Sequence, residues 1–190
     1  MLKGNRFLSS TFSRADCFAA FGMNKDRLYM ALYIRNAREG DVRYHTALLR
    51  IPKGTGLGDI SPSAYCYHAV NDIVDGKEVW VYKALPTRPL SVKLRALLFL
   101  GKMEISASDL EQTLKQVPVV QDNPNWRCHD WIWAAMKLLA EKGIIDPLPR
   151  QPQDLWHAAI TFADENSIVD GLVPTCATDG ERIKSAFEGL

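Results

Sequence analysis

The sequence predicts an α+β domain in which a small antiparallel sheet packs against helices on one side. Three observations carry this reading. Four short runs rich in β-branched and aromatic residues, punctuated by turn residues, fill positions 28–83. In the second half the apolar spacing changes from two to three and four. The chain has 190 residues, 47% hydrophobic and 24% charged, enough to bury one core without disulfide staples.

The elements follow in order. Residues 1–24 read as a flexible leader, the core domain as 25–146, and 147–190 as a Pro-rich extension packing on it. Leu28 to Arg35 (LYMALYIR) is the first strand. Arg43 to Ile51 (RYHTALLRI) is the second, ended by Pro52-Lys53-Gly54. The Gly- and Pro-bearing stretch Gly54 to Ser63 is a loop. Ala64 to Val70 is the third strand, Asp75-Gly76 a turn, and Lys77 to Lys83 the fourth strand, which together suggest a meander. Leu94, Leu97 and Leu98 fit either a strand or a short helix ending at Gly101. Ser108 to Val117 reads as a helix capped by Ser106 or Ser108 and ended by Pro118. Trp126 to Lys142 is the strongest helix. Its positions 128, 131, 132, 135, 138 and 139 form an apolar stripe, and Gly143 stops it. Short helices are expected at Asp154 to Phe162 and at Gly180 to Phe187.

A formal charge of +1 leaves no chain-wide electrostatic footprint for nucleic acid. The longest apolar stretches, such as Ala96 to Leu100, are too short to span a bilayer, so no integral membrane association is expected. The cysteines at 17, 66, 128 and 176 show no C-x-x-C spacing and no secretory signal precedes them. A reducing, cytoplasmic setting follows, in which a cysteine can be catalytic. Lys3, Arg6 and Arg14 against one acid, Asp16, give the leader a loosely mitochondrial composition as the alternative.

Cys128 is the most informative residue. It opens the best helix, where free N–H groups and the helix dipole lower a thiol pKa and can bind an oxyanion. It also lies on the apolar stripe, so a small buried hydrophobe is the competing reading. His45 and His68 each sit mid-strand. Alternation puts His45 in the row of Ala47, Leu49 and Ile51, expected to face the protein interior and any helix packed there. Paired strands would bring His68 beside it. A thiol needs a base, and the base needs a third group to fix its tautomer, so Cys128, His45 and His68 form a candidate triad. Taken singly, either histidine fits a satisfied core position.

Several neighbours stay open as alternatives. His129 follows Cys128 and, about 100° around the helix, points away from the sulfur. Cys66 shares a face with His68, which allows a redox pair with Cys128 or a metal set with the histidines, although the spacing lacks the close paired ligands of common zinc sites. Asn71 or Asp72 would replace His68 after a one-residue slip. Gln121, Asp122 and Asn123 would cap the helix or assist an oxyanion hole. Arg127 and Trp126 are the candidate substrate-binding residues: Arg127 through its charge, Trp126 through its ring, against a solvated first-turn residue and ordinary packing. The set as a whole implies neither cofactor nor metal.

The order Tyr44-His45-Thr46, Tyr67-His68-Ala69, then Trp126-Arg127-Cys128-His129-Asp130-Trp131 resembles the circularly permuted papain-like superfamily, which includes the lecithin:retinol acyltransferases. More closely, Asp26 to Tyr33, the two histidine strands, Val117 to Asp122 and the Cys128 helix resemble an uncharacterised family of small fungal proteins, over roughly residues 25–142. The superfamily resemblance implies a permuted papain-like fold, with Cys128 as nucleophile, His45 as base and His68 as third member. Two departures stand out: the interval from His45 to His68 is longer, and Arg127 replaces the acyltransferases' Asn. The implied function is a cysteine-dependent hydrolase or acyltransferase. It would act on an amide, ester or thioester of a small-molecule or peptide acyl substrate through an acyl-enzyme. The alternative is an inactive papain-like scaffold that binds a protein or peptide.

Overall fold

The computed structural model describes residues 25–35, 43–52, 55, 63–166, 168 and 172–184. The predicted leader, Cys17 and most of the predicted loop Gly54–Ser63 lie outside the described residues. The architecture is α+β. Among the described residues, a seven-stranded sheet, ordered β4-β3-β2-β1-β5-β6-β7, carries three helices. β1 (Asp26–Ile34), β2 (Tyr44–Ile51), β3 (Ala64–Val74) and β4 (Lys77–Thr87) form the meander expected from the sequence. At the tip of its last hairpin, Asp75 and Gly76 take φ of 51° and 76°, the pairing that a two-residue turn between twisted strands requires. β5 (Leu94–Met103) settles the strand-or-helix ambiguity: it pairs antiparallel with β1. β6 (Thr175–Cys176) runs parallel to β5 and β7 (Arg182–Ile183) closes the edge. The helix predicted at Gly180–Phe187 is therefore a turn and a strand over its described part: Arg182 and Ile183 take ladder bonds with β6, which is itself paired with β5.

α1 (Ala107–Leu114) starts at Ser106, whose side chain accepts from the Asp109 N–H. α2 (Cys128–Glu141) ends as predicted at Gly143, φ 66°, where Gly143 N–H bonds the Ala140 carbonyl and Ile144 N–H that of Leu139. α3 (Pro152–Glu165) is longer than expected and begins with Pro at its first position.

All three helices cover one face of the sheet. There, Leu28, Met30, Leu48 and Tyr67 meet Trp131, Ile132, Leu155 and Trp156. The opposite face holds a smaller apolar cluster, Tyr29, Ala31, Ala47, Leu49, Ile51 and Leu97, to which no described helix contributes. Thr46, on the helix side of β2, accepts a 2.9 Å bond from Trp156 Nε1 of α3. That bond ties the far helix to the strand that carries His45.

Candidate active site

The site grows from a break in the sheet. The ladder between β2 and β3 covers only Leu48–Tyr67, Leu49–Cys66 and Arg50–Tyr65, while β3 continues with β4 alone as far as Val74. α2 brings its first residue to this seam. The N–H groups of Thr46, His129 and Cys128 itself face the Cys128 sulfur and favour its thiolate. A strand N–H lies in the plane of the sheet, so a sulfur facing that of Thr46 sits in the seam, beside the peptide joining His45 to Thr46. Asp130, in the first turn of α2, accepts the Arg127 N–H at 2.7 Å and so fixes the helix start.

His45 lies in the row of Ala47, Leu49 and Ile51, as alternation requires, but the helices cover the other face. Expecting His45 to face a helix is thus corrected. Both strand rows are apolar, and the bulkier Tyr44 and Leu48 are the ones α2 and α3 cover. His68 shares the face of His45, and the pair spans the seam: His45 Nε2 lies 2.9 Å from His68 Nδ1, the rings edge to face. Asn71 and Asp72 do not compete for His45. The Asn71 amide donates to Glu78 at 3.1 Å, and Asp72 holds Lys83 at 2.5 Å.

Burial governs the protonation of all three groups. It holds the His45 imidazole down to about 4, helped by His68 and Arg35. It holds His68 down to about 4, with Lys83 adding to the effect. It also raises the Cys128 thiol, even though the Thr46 N–H, Arg35 and the helix-start N–H groups pull the other way. The sequence sets those N–H groups against burial on the apolar stripe and leaves the balance open. Here, desolvation of a thiol on a residue only 3% exposed outweighs them. The resting state is a neutral thiol and two neutral imidazoles.

Two hollows flank the seam. On the helix side, a cleft of about 600 Å³ is lined by Arg127, Gln121, Asn71 and Trp80 among others. On the other face, a cavity of about 400 Å³ is lined by His45, His68, Cys66, Tyr33, Leu85 and Lys93 among others. Arg35, at the end of β1, borders both, and its charge acts on Cys128, His45 and His129 alike. Nothing in the sequence singled it out, because a cation just past a strand end carries no periodic signal.

The remaining predicted residues divide. Arg127 lines the cleft, with Nη1 held by the carbonyls of Pro124 and Trp126. Trp126 is packed, 8% exposed and edge-on to Trp80 at 5.0 Å; Trp80 is the tryptophan that borders the cleft. The His129 ring packs tilted against Trp133 and Trp156, centroids 4.7 and 4.5 Å away. The capping expected of Gln121 is replaced by a clamp: its side-chain amide accepts from Trp80 N–H at 3.0 Å and donates to Trp80 O at 2.7 Å. Cys66, Cys128 and Cys176 are free thiols. Among the described residues no helix is long and apolar enough to cross a membrane.

Residues 25–165 match a protein family described as a family of unknown function (DUF6914), and the chain belongs to that family. No curated protein and no solved structure matches it.

Proposed function

We propose that this member of the DUF6914 family is a cysteine-dependent hydrolase or acyltransferase of permuted papain-like type, with Cys128 as nucleophile, His45 as base and His68 orienting the base. One observation supports this above the rest: the Cys128 sulfur sits against the His45–Thr46 peptide while His45 bonds His68 at 2.9 Å. This neighbourhood supports reading the three as nucleophile, base and orienting group.

The chemistry follows from the neutral resting state. His45 Nδ1 takes the thiol proton as the sulfur bonds to the acyl carbon. The N–H groups around the sulfur are the donors within reach of the oxyanion. His45 then gives that proton to the departing amine, alcohol or thiol, leaving a thioester on Cys128. Water or an acceptor nucleophile, deprotonated by the same nitrogen, attacks the thioester and restores the thiol. Substrate enters by the cleft that Arg127, Gln121 and Trp80 line, beside the start of α2.

The test is acylation by a small p-nitrophenyl ester followed by intact-mass and peptide analysis. The expected result is one acyl adduct on Cys128, absent in Cys128→Ser, strongly slowed in His45→Ala and retained in Cys66→Ser. Cys66 is the proper rival, because its sulfur lies 3.7 Å from His68 Nδ1. An adduct on Cys66, or none at all, overturns the assignment.

A further inference from the structure

On the face away from the helices, a second thiol touches the histidine pair. Cys66 Sγ lies 3.7 Å from His68 Nδ1, the same atom that faces His45 Nε2 at 2.9 Å. Behind it, the Tyr33 hydroxyl and the Cys66 sulfur share a hydrogen bond. We infer that Tyr33 and Cys66 form a buried relay that fixes the tautomers of His68 and His45, leaving His45 Nδ1 unprotonated. This rests on the assignment of His45 as the base of Cys128, and it makes Tyr33 and Cys66 positioning residues.

Only one proton fits between two neutral imidazole nitrogens 2.9 Å apart. If it sits on His45 Nε2, His45 Nδ1 is bare and can accept a proton from a thiol. If it sits on His68 Nδ1, His45 carries its own proton on Nδ1 and cannot act. The other end of His68 does not decide the matter, because its Nε2 is buried without a partner in either arrangement. Cys66 takes that part in the relay. Burial keeps its thiol protonated, its pKa pushed up to about 12, and in the relay the sulfur accepts from the Tyr33 O–H. Its S–H is then aimed at His68 Nδ1, 3.7 Å away, which leaves that nitrogen bare to accept from His45 Nε2–H; in the opposite tautomer His68 Nδ1–H is shared between His45 Nε2 and the sulfur, and the spectra below tell the two apart. The nearby cations, Lys83 opposite His68 on β4 and Arg35 beside His45, disfavour a second proton on the pair and so hold it neutral.

Histidine 15N–1H spectra of the full chain test this directly. Four histidines make assignment by single substitution practical. The expected spectrum near neutral pH shows both His45 and His68 as Nε2–H tautomers. Cys66→Ala is expected to mix the tautomers and slow acylation of Cys128 about fivefold, the effect of one hydrogen bond. Cys66→Ser, which keeps a donor, is expected to restore both readouts, and Tyr33→Phe to fall between. A thermal melt of each variant separates loss of fold from loss of tautomer. An Nδ1–H tautomer at His45 in the unaltered protein, or tautomers indifferent to Cys66→Ala, overturns the relay. Tautomers that respond as expected while Cys128 fails to acylate uphold the relay and overturn the thiol-enzyme assignment instead.

Discussion

The two faces of the sheet bury side chains to different ends. On the helix side, Trp131, Ile132, Leu139 and Leu155 are fully enclosed among strand residues, and the polar contacts are few, such as Trp156 to Thr46. On the other side, a chain of neutral polar groups, Tyr33, Cys66, His68 and His45, lines an open cavity beside a thinner apolar cluster. The helix face holds the domain together. The histidine face keeps ionisable groups uncharged, at a cost in stability that the helix face offsets. Changes on the first face should therefore appear in melting curves, and changes on the second in reactivity and pH dependence.

The largest effect expected is on the packing side. Trp131 is wholly buried and lies 5.3 Å from Tyr82, joining α2 to the outermost strand of the meander. Trp131→Ala should lower stability by about 4 kcal/mol, read by urea unfolding. A loss under about 1 kcal/mol would show that α2 is only loosely seated and that the contrast between the faces is false.

Next in size is a pH effect on the histidine face. An imidazole that titrates at about 4 when folded and 6.5 when unfolded takes up its proton first in the unfolded chain. The sign is fixed: stability is complete above pH 6.5 and falls as pH drops from there towards 4. For His45 alone the loss reaches roughly 3 kcal/mol. His45→Gln, which removes the titration, should flatten that part of the profile. A profile equally steep in the variant would place the acid sensitivity elsewhere.

His45→Ala is expected to slow acylation of Cys128 about a hundredfold, the usual contribution of a positioned base, with little loss of stability. The acid limb of the acylation profile in the unaltered protein should fall below pH of about 4, where the base form is lost. Unaltered acylation in His45→Ala would reduce the histidine face to a packed polar cluster.

Much of this contrast was legible in the sequence. The four strands, the Asp75-Gly76 turn, the helix opened by Cys128 and closed by Gly143, and the neighbourhood of His45 and His68 all follow from local signals of period, turn chemistry and capping. What could not be read is which face the helices cover. Alternation sorts β2 into Tyr44, Thr46, Leu48 and His45, Ala47, Leu49, but both rows are apolar, and only long-range packing chooses between them. The balance at Cys128 is not legible for a related reason: the helix start is a local feature, whereas the desolvation that outweighs it comes from distant segments closing over the sulfur. β6 and β7, at two residues each, carry no period at all. The β3–β4 ribbon runs past the strand ends expected at Val70 and Lys83, since Asn71 and Asp72 are polar residues in a two-stranded hairpin that has one neighbour fewer than the rest of the sheet.

Gln121 offers the finest test, because it lies where the helix side meets the cleft. Its amide satisfies both backbone groups of Trp80 as a paired strand residue would, and so blocks the outer edge of β4 beside the proposed entry cleft. The contact is exposed, so Gln121→Ala should cost only about 1 kcal/mol in unfolding experiments. It leaves the sulfur, the histidine pair and the relay in place, and alkylation of Cys128 by the small reagent iodoacetamide should be unchanged. Esters with bulky acyl groups, which must occupy the cleft that Gln121 and Trp80 shape, should instead acylate at altered rates relative to acetate. If both reagents respond equally, the cleft does not lie on the path to the thiol, and entry from the histidine-face cavity becomes the geometry to test.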